Sequence, residues 1–151
     1  MERYELAKYL KDNGICNCCQ AIMKAYHDIV DLSEDELLKI ASGFGQGMGT
    51  LEATCGALIG ANIILGLLNN TSSSTTKYSR TMLKEFENMC GATQCKIIKG
   101  IGVGKVLCEC GDCCKNASIV LEKTLIDNKL IEEEKLKWKK MVVHIAKKEN
   151  F

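Results

Sequence analysis

Four cysteines carry the chemistry that this sequence could perform. Cys18, Cys55, Cys95 and Cys110 lie far apart along the chain, and each stands beside a glycine-rich stretch or at the predicted start of a helix. Helix starts that meet at one end of a bundle would bring the four thiolates together. Four thiolates suit an iron–sulfur cluster or a structural zinc ion.

A glycine-rich stretch, residues 43–60, leads into the helix that is predicted to carry Cys55. Alternate glycines allow backbone N–H groups to turn toward an anionic guest, such as a thiolate or a cluster sulfide, at close range. Gly56 and Gly60 lie four residues apart on one helix face, so a second helix or a cofactor can approach the backbone there. The glycines predicted to bind the cofactor are Gly45, Gly47, Gly49 and Gly56.

Ten cysteines are an unusual number for a chain whose first residues, Met-Glu-Arg-Tyr-Glu-Leu, lack the apolar run of a signal peptide. These features predict a cytoplasmic, reducing environment, where clustered cysteines bind metals or exchange electrons rather than form structural disulfides. Single cysteines can instead fill a core as small apolar residues, and we prefer that interpretation for Cys90 and Cys108. It does not suit Cys18 and Cys19, or residues 108–114, where cysteines crowd among polar residues.

Two alternatives use the same residues differently. Cys16 with Cys19, and Cys110 with Cys113, have the C-x-x-C spacing of a thiol–disulfide oxidoreductase, in which a helix N-terminus lowers the pKa of the attacking thiol. The strand–helix context that usually carries this chemistry is missing from the sequence pattern. A closed four-cysteine zinc site is the second alternative, but it does not require a run of backbone amides, whereas cluster sulfides accept such donors.

Helical periodicity dominates the chain, proline is absent, and no segment has a convincing strand pattern. The sequence therefore predicts an all-α fold, a single domain over residues 1–151 built as a bundle of about six to seven helices, with glycine-rich loops at the cysteine site. The helices are predicted over residues 3–11, from 17 through Ile29, over 33–43, 51–68 and 78–89, from the 108–114 cluster to 126, and over 131–148, with a short helical turn over 95–99.

The apolar helix at residues 51–68 is predicted as a buried core helix rather than a membrane span, because Glu52, Thr54 and Asn62 interrupt it. A formal net charge of +1 gives no support to binding of nucleic acid or a membrane surface. The glycine-rich stretches lack the features of nucleotide-binding motifs, and no Cys-x-x-Cys-His motif for covalent haem occurs.

Two further features are interpreted conservatively. His27 and His144 are the only histidines, and both are predicted to be surface or core-edge residues of helices rather than ligands. Glutamates followed by lysines in residues 132–148 could form a docking face for an acidic partner. A solvated helix whose charges complement its own dipole explains the same pattern better.

The cysteine segments resemble those of the redox-active family named for its C-GCAxxG-C-C pattern. The sequence Cys-Gly-Ala-Leu-Ile-Gly at residues 55–60 is similar to the central motif of that family, and the resemblance spans about residues 14–122. The other segments that resemble the family are residues 17–21, residues 41–49, residues 91–95, and Cys110 with residues 117–118 and 120–122.

The resemblance implies a redox-active protein that holds an iron–sulfur cluster through Cys18, Cys55, Cys95 and Cys110 and transfers electrons. A [2Fe–2S] cluster is favoured over [4Fe–4S], with zinc as the alternative. It implies no defined substrate, so an oxidoreductase activity stays open, as do the redox partner protein and a homodimer. Which neighbouring thiol is the ligand also stays open within the sets Cys16, Cys18, Cys19 and Cys110, Cys113, Cys114.

Overall fold

The computed structural model describes residues 1–137, and this part of the chain is all-α, as predicted. It contains six helices of eight or more residues and one short helix. The β-type pairing within residues 1–137 is limited to one isolated bridge, between Thr54 and Gln94. The helices are α1 (Arg3–Asp12), α2 (Cys18–Ala25), α3 (Glu34–Ala41), α4 (Gly56–Leu68), α5 (Thr75–Cys90), α6 (Cys95–Ile98) and α7 (Cys110–Asp127).

Helix α2 lies at the centre of the bundle. It packs against α1, α3, α4 and α7, while α5 covers α4 and α7. Every residue of α2 except Gln20 is buried. A helix that is buried on all faces requires small or apolar side chains, and α2 supplies them with Ala21, Ile22 and Met23. Complete burial of a side chain such as Ile22 contributes roughly 1.5–3 kcal/mol to the stability of the fold. The first residue of this rigid helix is Cys18.

Helices α2 and α4 approach more closely than ordinary side chains allow. A Cβ on Gly60 would lie 2.9 Å from the Cys19 carbonyl oxygen and 3.0 Å from Ile22 Cβ. Gly56, one turn earlier, faces Cys18 in the same way. The predicted close approach along this glycine face is confirmed, and the element that approaches is α2.

Arg3 fixes the beginning of α1 against two other parts of the chain. Its buried guanidinium donates to the Asp28 carboxylate at 2.6 and 2.9 Å, to the Ala25 carbonyl at 2.7 Å and to the Leu136 carbonyl at 2.8 Å. It also lies over the Tyr26 ring, 5.2 Å from the centroid. A buried charge is tolerated only with partners of this kind, so Arg3 is a structural clamp.

The start of α4 differs from the prediction. The helix was expected from residue 51, yet it begins at Gly56, with Cys55 at its N-cap. The preceding segment, Gly47–Leu51, forms a wide helical turn in which Leu51 has a φ of 67°. A left-handed residue cannot continue into a right-handed helix, so the apolar run is broken there. Across residues 1–137, no helix combines the length and the apolar character needed to cross a bilayer.

Two other boundaries also differ. Helix α2 ends at Ala25, whose carbonyl accepts from Arg3, and Ile29 therefore lies in a 3-10 turn, His27–Ile29, rather than in the helix. The last predicted helix, residues 131–148, begins with a 3-10 turn at Glu133–Leu136. Its remaining predicted residues lie outside the described part of the chain.

Candidate metal centre

Cys18, Cys55, Cys95 and Cys110 all line one cavity. Each is presented by the start of a different helix, since Cys18, Cys95 and Cys110 are the first residues of α2, α6 and α7, and Cys55 is the N-cap of α4. Three of the four side chains are buried, and Cys110 is partly exposed. The structure thus brings together the four cysteines that the sequence singled out.

A pair of backbone hydrogen bonds places Cys55 beside Cys95. The Cys55 N–H donates to the Thr93 carbonyl at 2.7 Å, and the Cys95 N–H donates to the Ala53 carbonyl at 3.0 Å. These bonds join the two segments that lead into α4 and α6. Because both segments end at a cysteine, the pairing fixes two sulfurs at the same wall of the cavity.

Asn17 holds the glycine-rich loop against the start of α2. Its side-chain oxygen accepts from the Gln20 N–H at 2.8 Å and so caps the helix. Its amide nitrogen donates to the Ser42 carbonyl at 3.2 Å. A Cβ on Gly45 would lie 2.7 Å from Asn17 Cβ, so glycine is required for the loop to pass this close. The loop is therefore fixed relative to Cys18, the next residue in the chain.

Two backbone positions at the cavity lie against the Cys18 sulfur. Gly56 lines the cavity, and a Cβ at this position would stand 2.4 Å from Cys18 Sγ. The glycine-rich loop reaches the cavity through Gln46, whose backbone N–H donates to the Cys18 sulfur. An amide that donates to a cysteine sulfur is the type of contact that the glycine-rich sequence predicted.

The other three predicted glycines do not line the cavity but shape the loop behind it. Gly47 is buried, and a Cβ there would lie 2.9 Å from Cys95 Cβ. The N–H of Gly49 donates to the Gly45 carbonyl at 3.0 Å, so it is used within the loop. The structure therefore gives Gly45, Gly47 and Gly49 a role in the path of the backbone.

Positive charge surrounds these sulfurs. Lys11 and Lys99 line the same cavity. The N-termini of α2, α4 and α7 add partial positive charge at Cys18, Cys55 and Cys110, and a helix end stabilises a nearby anion by about 0.3–1 kcal/mol. These charges offset part of the cost of holding anionic sulfur in the cavity.

The thiol pKa values differ from one sulfur to the next. Burial raises the pKa of Cys18 and that of Cys95 above the ordinary value. The pKa of Cys55 is lowered, because its sulfur accepts a hydrogen bond from the Cys113 thiol and further bonds from backbone N–H groups in the first turn of α4. Of these three thiols, Cys55 therefore loses its proton most readily, because hydrogen bonds to its sulfur outweigh the effect of burial.

A second group of thiols lies beside this cavity and was not predicted as a site. The sulfur atoms of Cys90, Cys108 and Cys113 all lie within 4.8 Å of one another. Cys90 lies in the apolar core, as predicted, whereas Cys108 is only partly buried at its edge, and neither is an isolated core sulfur. The sequence offers one signal for this group, because Cys113 lies three residues after Cys110 and so one helical turn further along α7.

Cys113 links the two groups of thiols. It lines the cavity, and its single S–H can donate either to Cys55 or to Cys90. The hydrogen bond to Cys90, together with one from Asn116, lowers the pKa of Cys90 to about 6, and bonding to these sulfurs raises the pKa of Cys113 itself. Burial raises the pKa of Cys108 to about 12.

The two predicted C-x-x-C pairs have different surroundings. Cys110 and Cys113 line the same cavity, so this pair belongs to the site. Neither Cys16 nor Cys19 lines the cavity, and Cys19 is fully buried, so a substrate disulfide cannot reach this pair through the site. His27 does not line the cavity, and His144 lies outside the described residues.

An all-α bundle whose helix N-termini converge on buried thiols defines a cysteine-rich protein suited to metal binding or thiol redox chemistry. The sequence of residues 16–124, more than half of the chain, matches the model of a family described as "Putative redox-active protein (C_GCAxxG_C_C)". The chain belongs to this redox-active family, as its resemblance in sequence predicted. Comparison with curated proteins gave no match, and comparison with solved structures gave none.

Proposed function

We propose that this protein transfers electrons through an iron–sulfur cluster bound by Cys18, Cys55, Cys95 and Cys110. The observation that carries the proposal is the convergence of these four cysteines, each from the start of a different helix, on one cavity. Four thiolates are the usual protein ligands of such clusters. When bound, the cluster would supply a one-electron acceptor and donor.

The surroundings of the four sulfurs fit an anionic cluster. Four thiolates give the assembly a net negative charge, and Lys11, Lys99 and the helix N-termini lie where they offset it. The Gln46 N–H donates to the Cys18 sulfur, and hydrogen bonds to sulfur are one of the means by which a protein tunes a cluster's potential. Gly56 leaves space beside Cys18 that any larger residue would fill.

The cavity is small, so either type of cluster requires the surrounding side chains to move. Its volume is about 20 Å³, which is room for roughly one water-sized body before the side chains move. A [2Fe–2S] cluster requires less movement of the surrounding helices than a [4Fe–4S] cluster, and we therefore propose the smaller one. The same volume favours a single zinc ion as the second candidate for this site.

The proposal also covers the cellular compartment, the partner and the domain organisation. All ten cysteines are free thiols, which suits a reducing compartment, and we include a cytoplasmic location in the proposal. The partner would be another redox protein, and a homodimer is a further arrangement to be tested. We propose that residues 1–151 act as one domain, because α1, α2, α4 and α7 share a single core.

The test is anaerobic purification of the full chain followed by reconstitution with iron and sulfide. We expect a coloured protein with sulfur-to-iron charge-transfer absorption and about equal amounts of iron and acid-labile sulfide. A colourless protein that retains zinc and takes up no iron would establish the zinc alternative and refute the proposal.

A thiol–disulfide oxidoreductase is the other candidate, supported by Cys110 and Cys113 at the cavity. In that reaction the Cys110 thiolate would attack a substrate disulfide, and Cys113 would then release the reduced substrate and leave a Cys110–Cys113 disulfide. A separate dithiol reductant would have to restore the pair. Disulfide reductase activity that survives complete metal removal and disappears in Cys113→Ser would favour this candidate.

A further inference from the structure

We propose that Cys90, Cys108 and Cys113 form a second metal site, one for a thiophilic divalent ion such as zinc. Their sulfur atoms lie within 4.8 Å of one another. Tetrahedral zinc with bonds of about 2.3 Å to sulfur separates its ligand atoms by roughly 3.8 Å. Each sulfur pair therefore has to close by no more than about 1 Å, which is within the reach of side-chain rotation.

The local backbone is built to bring these three residues together. Cys90 is the last residue of α5, Cys113 lies in the first turn of α7, and Cys108 lies in the segment that leads into α7. Gly91 ends α5 with a φ of 87°, and a Cβ there would lie 3.1 Å from the Leu107 side chain. Because Gly91 has no Cβ, Leu107 can pack onto the end of α5. This packing places the next residue, Cys108, beside Cys90.

A polar side chain is directed at the sulfurs. The Asn116 amide nitrogen donates to Cys90 Sγ at 3.3 Å and lies 3.8 Å from Cys108 Sγ. It lies three residues after Cys113 on α7, so it faces the same side of the helix. Amide donors of this kind orient metal-binding thiolates and offset their charge, whereas a group of thiols that only filled the core would gain little from a donor shared between two sulfurs.

Charge and exposure indicate which type of ion fits. Three thiolates and a divalent ion leave one net negative charge, whereas a monovalent ion would leave two in a site where Cys90 and Cys113 are buried. Cys108 is partly exposed, so water can complete the tetrahedron on that side. Cys113 also lines the neighbouring cavity but is not one of the cluster ligands proposed above, and Cys90 and Cys108 do not line that cavity, so substitutions at Cys90 and Cys108 test this site without removing a cluster ligand.

The test is a titration of the metal-free full chain with Co²⁺ under anaerobic conditions, following the thiolate-to-cobalt absorption. We expect Cys90→Ser and Cys108→Ser each to bind one equivalent less than the wild type, while Cys16→Ser, a cysteine outside both groups, binds as much as the wild type. Cys95→Ser should keep the equivalent at the second site. If the four-cysteine cavity takes no cobalt, the wild type binds one equivalent and Cys108→Ser loses it. Equal binding by Cys90→Ser, Cys108→Ser and the wild type would overturn the proposal.

A second measurement avoids substitutions that disturb the core. Saturating Zn²⁺ should slow alkylation of Cys108 by iodoacetamide in the wild type at least tenfold, measured by peptide mapping, with little change at Cys16. An unchanged rate at Cys108 would contradict a metal site there. Cys108→Ser should still reconstitute an iron–sulfur absorption spectrum, and Cys95→Ser should not. That comparison separates failure of this site from failure of the proposed function.

Discussion

Gly56 stands so close to Cys18 that a Cβ on residue 56 would lie 2.4 Å from the Cys18 sulfur. The same Cβ would lie 2.5 Å from the Phe44 carbonyl oxygen, which belongs to the glycine-rich loop. Three parts of the site, the start of α2, the start of α4 and the loop, therefore meet at one position where no side chain fits. This contact explains in physical terms why a glycine follows Cys55.

Gly56→Ala should disrupt this contact. The added methyl group has to displace the Cys18 sulfur or the loop, and we expect a loss of about 1–3 kcal/mol in the free energy of unfolding together with a clear loss of bound iron. Gly66→Ala in the same helix is the control, because the nearest atom to a Cβ there is the Thr75 side chain at 3.9 Å. It should stabilise the protein by about 0.5–1 kcal/mol and leave the iron content unchanged. Chemical denaturation and iron analysis of both variants provide the comparison, and equal iron contents would argue against a role for Gly56 at the site.

Much of this architecture is predictable from the sequence. The sequence pattern placed each of Cys18, Cys95 and Cys110 beside a glycine-rich stretch or at a helix start, and the bundle brings these helix starts together. The start of α4 was missed because residues 51–55 look like a continuation of an apolar helix, while the left-handed φ at Leu51 depends on the path of the loop. The group formed by Cys90 and Cys108 was missed because it depends on how α5 packs against α7, which no local pattern encodes.

Asn17→Ala should weaken the site through the loop rather than through a ligand. The substitution removes the cap of α2 and the 3.2 Å bond to the Ser42 carbonyl, and we expect a loss of about 1–2 kcal/mol with reduced iron occupancy. Ser33→Ala removes a comparable cap from α3, where the Ser33 hydroxyl accepts from the Glu36 N–H at 3.1 Å. It should lower the thermal midpoint without changing the iron content. If the two variants lose iron equally, the effect reflects general stability and not the position of the loop.

Cys55→Ser should remove stability that is linked to the metal. Metal binding stabilises the folded chain, because the site exists only when the helix starts are in place. The loss of a ligand from the N-cap of α4 should therefore lower the free energy of unfolding. We expect the loaded wild type to have a higher thermal midpoint than Cys55→Ser, and a chelator to bring the wild type down toward the variant. Cys16→Ser should respond to the chelator as the wild type does. A chelator response of equal size in Cys55→Ser would mean that Cys55 is not a ligand.

The free energy of unfolding should depend on pH through the carboxyl group of Glu122. Burial raises the pKa of its carboxyl group above the ordinary value. Because the folded protein then holds this proton more tightly than the unfolded chain, its stabilising effect is complete below the unfolded pKa and is lost as pH rises through the folded pKa. Glu122→Gln should therefore lose less stability than the wild type as pH rises above the ordinary pKa of a carboxyl group. Urea midpoints at increasing pH provide the measurement, with Glu87→Gln on the exposed side of α5 as the control. Parallel pH profiles for Glu122→Gln and the wild type would contradict this expectation.

The central claim concerns the four cysteines at the starts of four helices, and iron per chain in Cys95→Ser tests it most directly. Cys95 lines the cavity from α6, takes no part in the second group of thiols, and is fixed by the bond from its own N–H to the Ala53 carbonyl, which the substitution leaves in place. After identical anaerobic reconstitution, we expect Cys95→Ser to lose most of its iron and sulfide while Cys16→Ser matches the wild type. Wild-type amounts of iron and sulfide in Cys95→Ser would contradict the claim that these four cysteines hold the cluster.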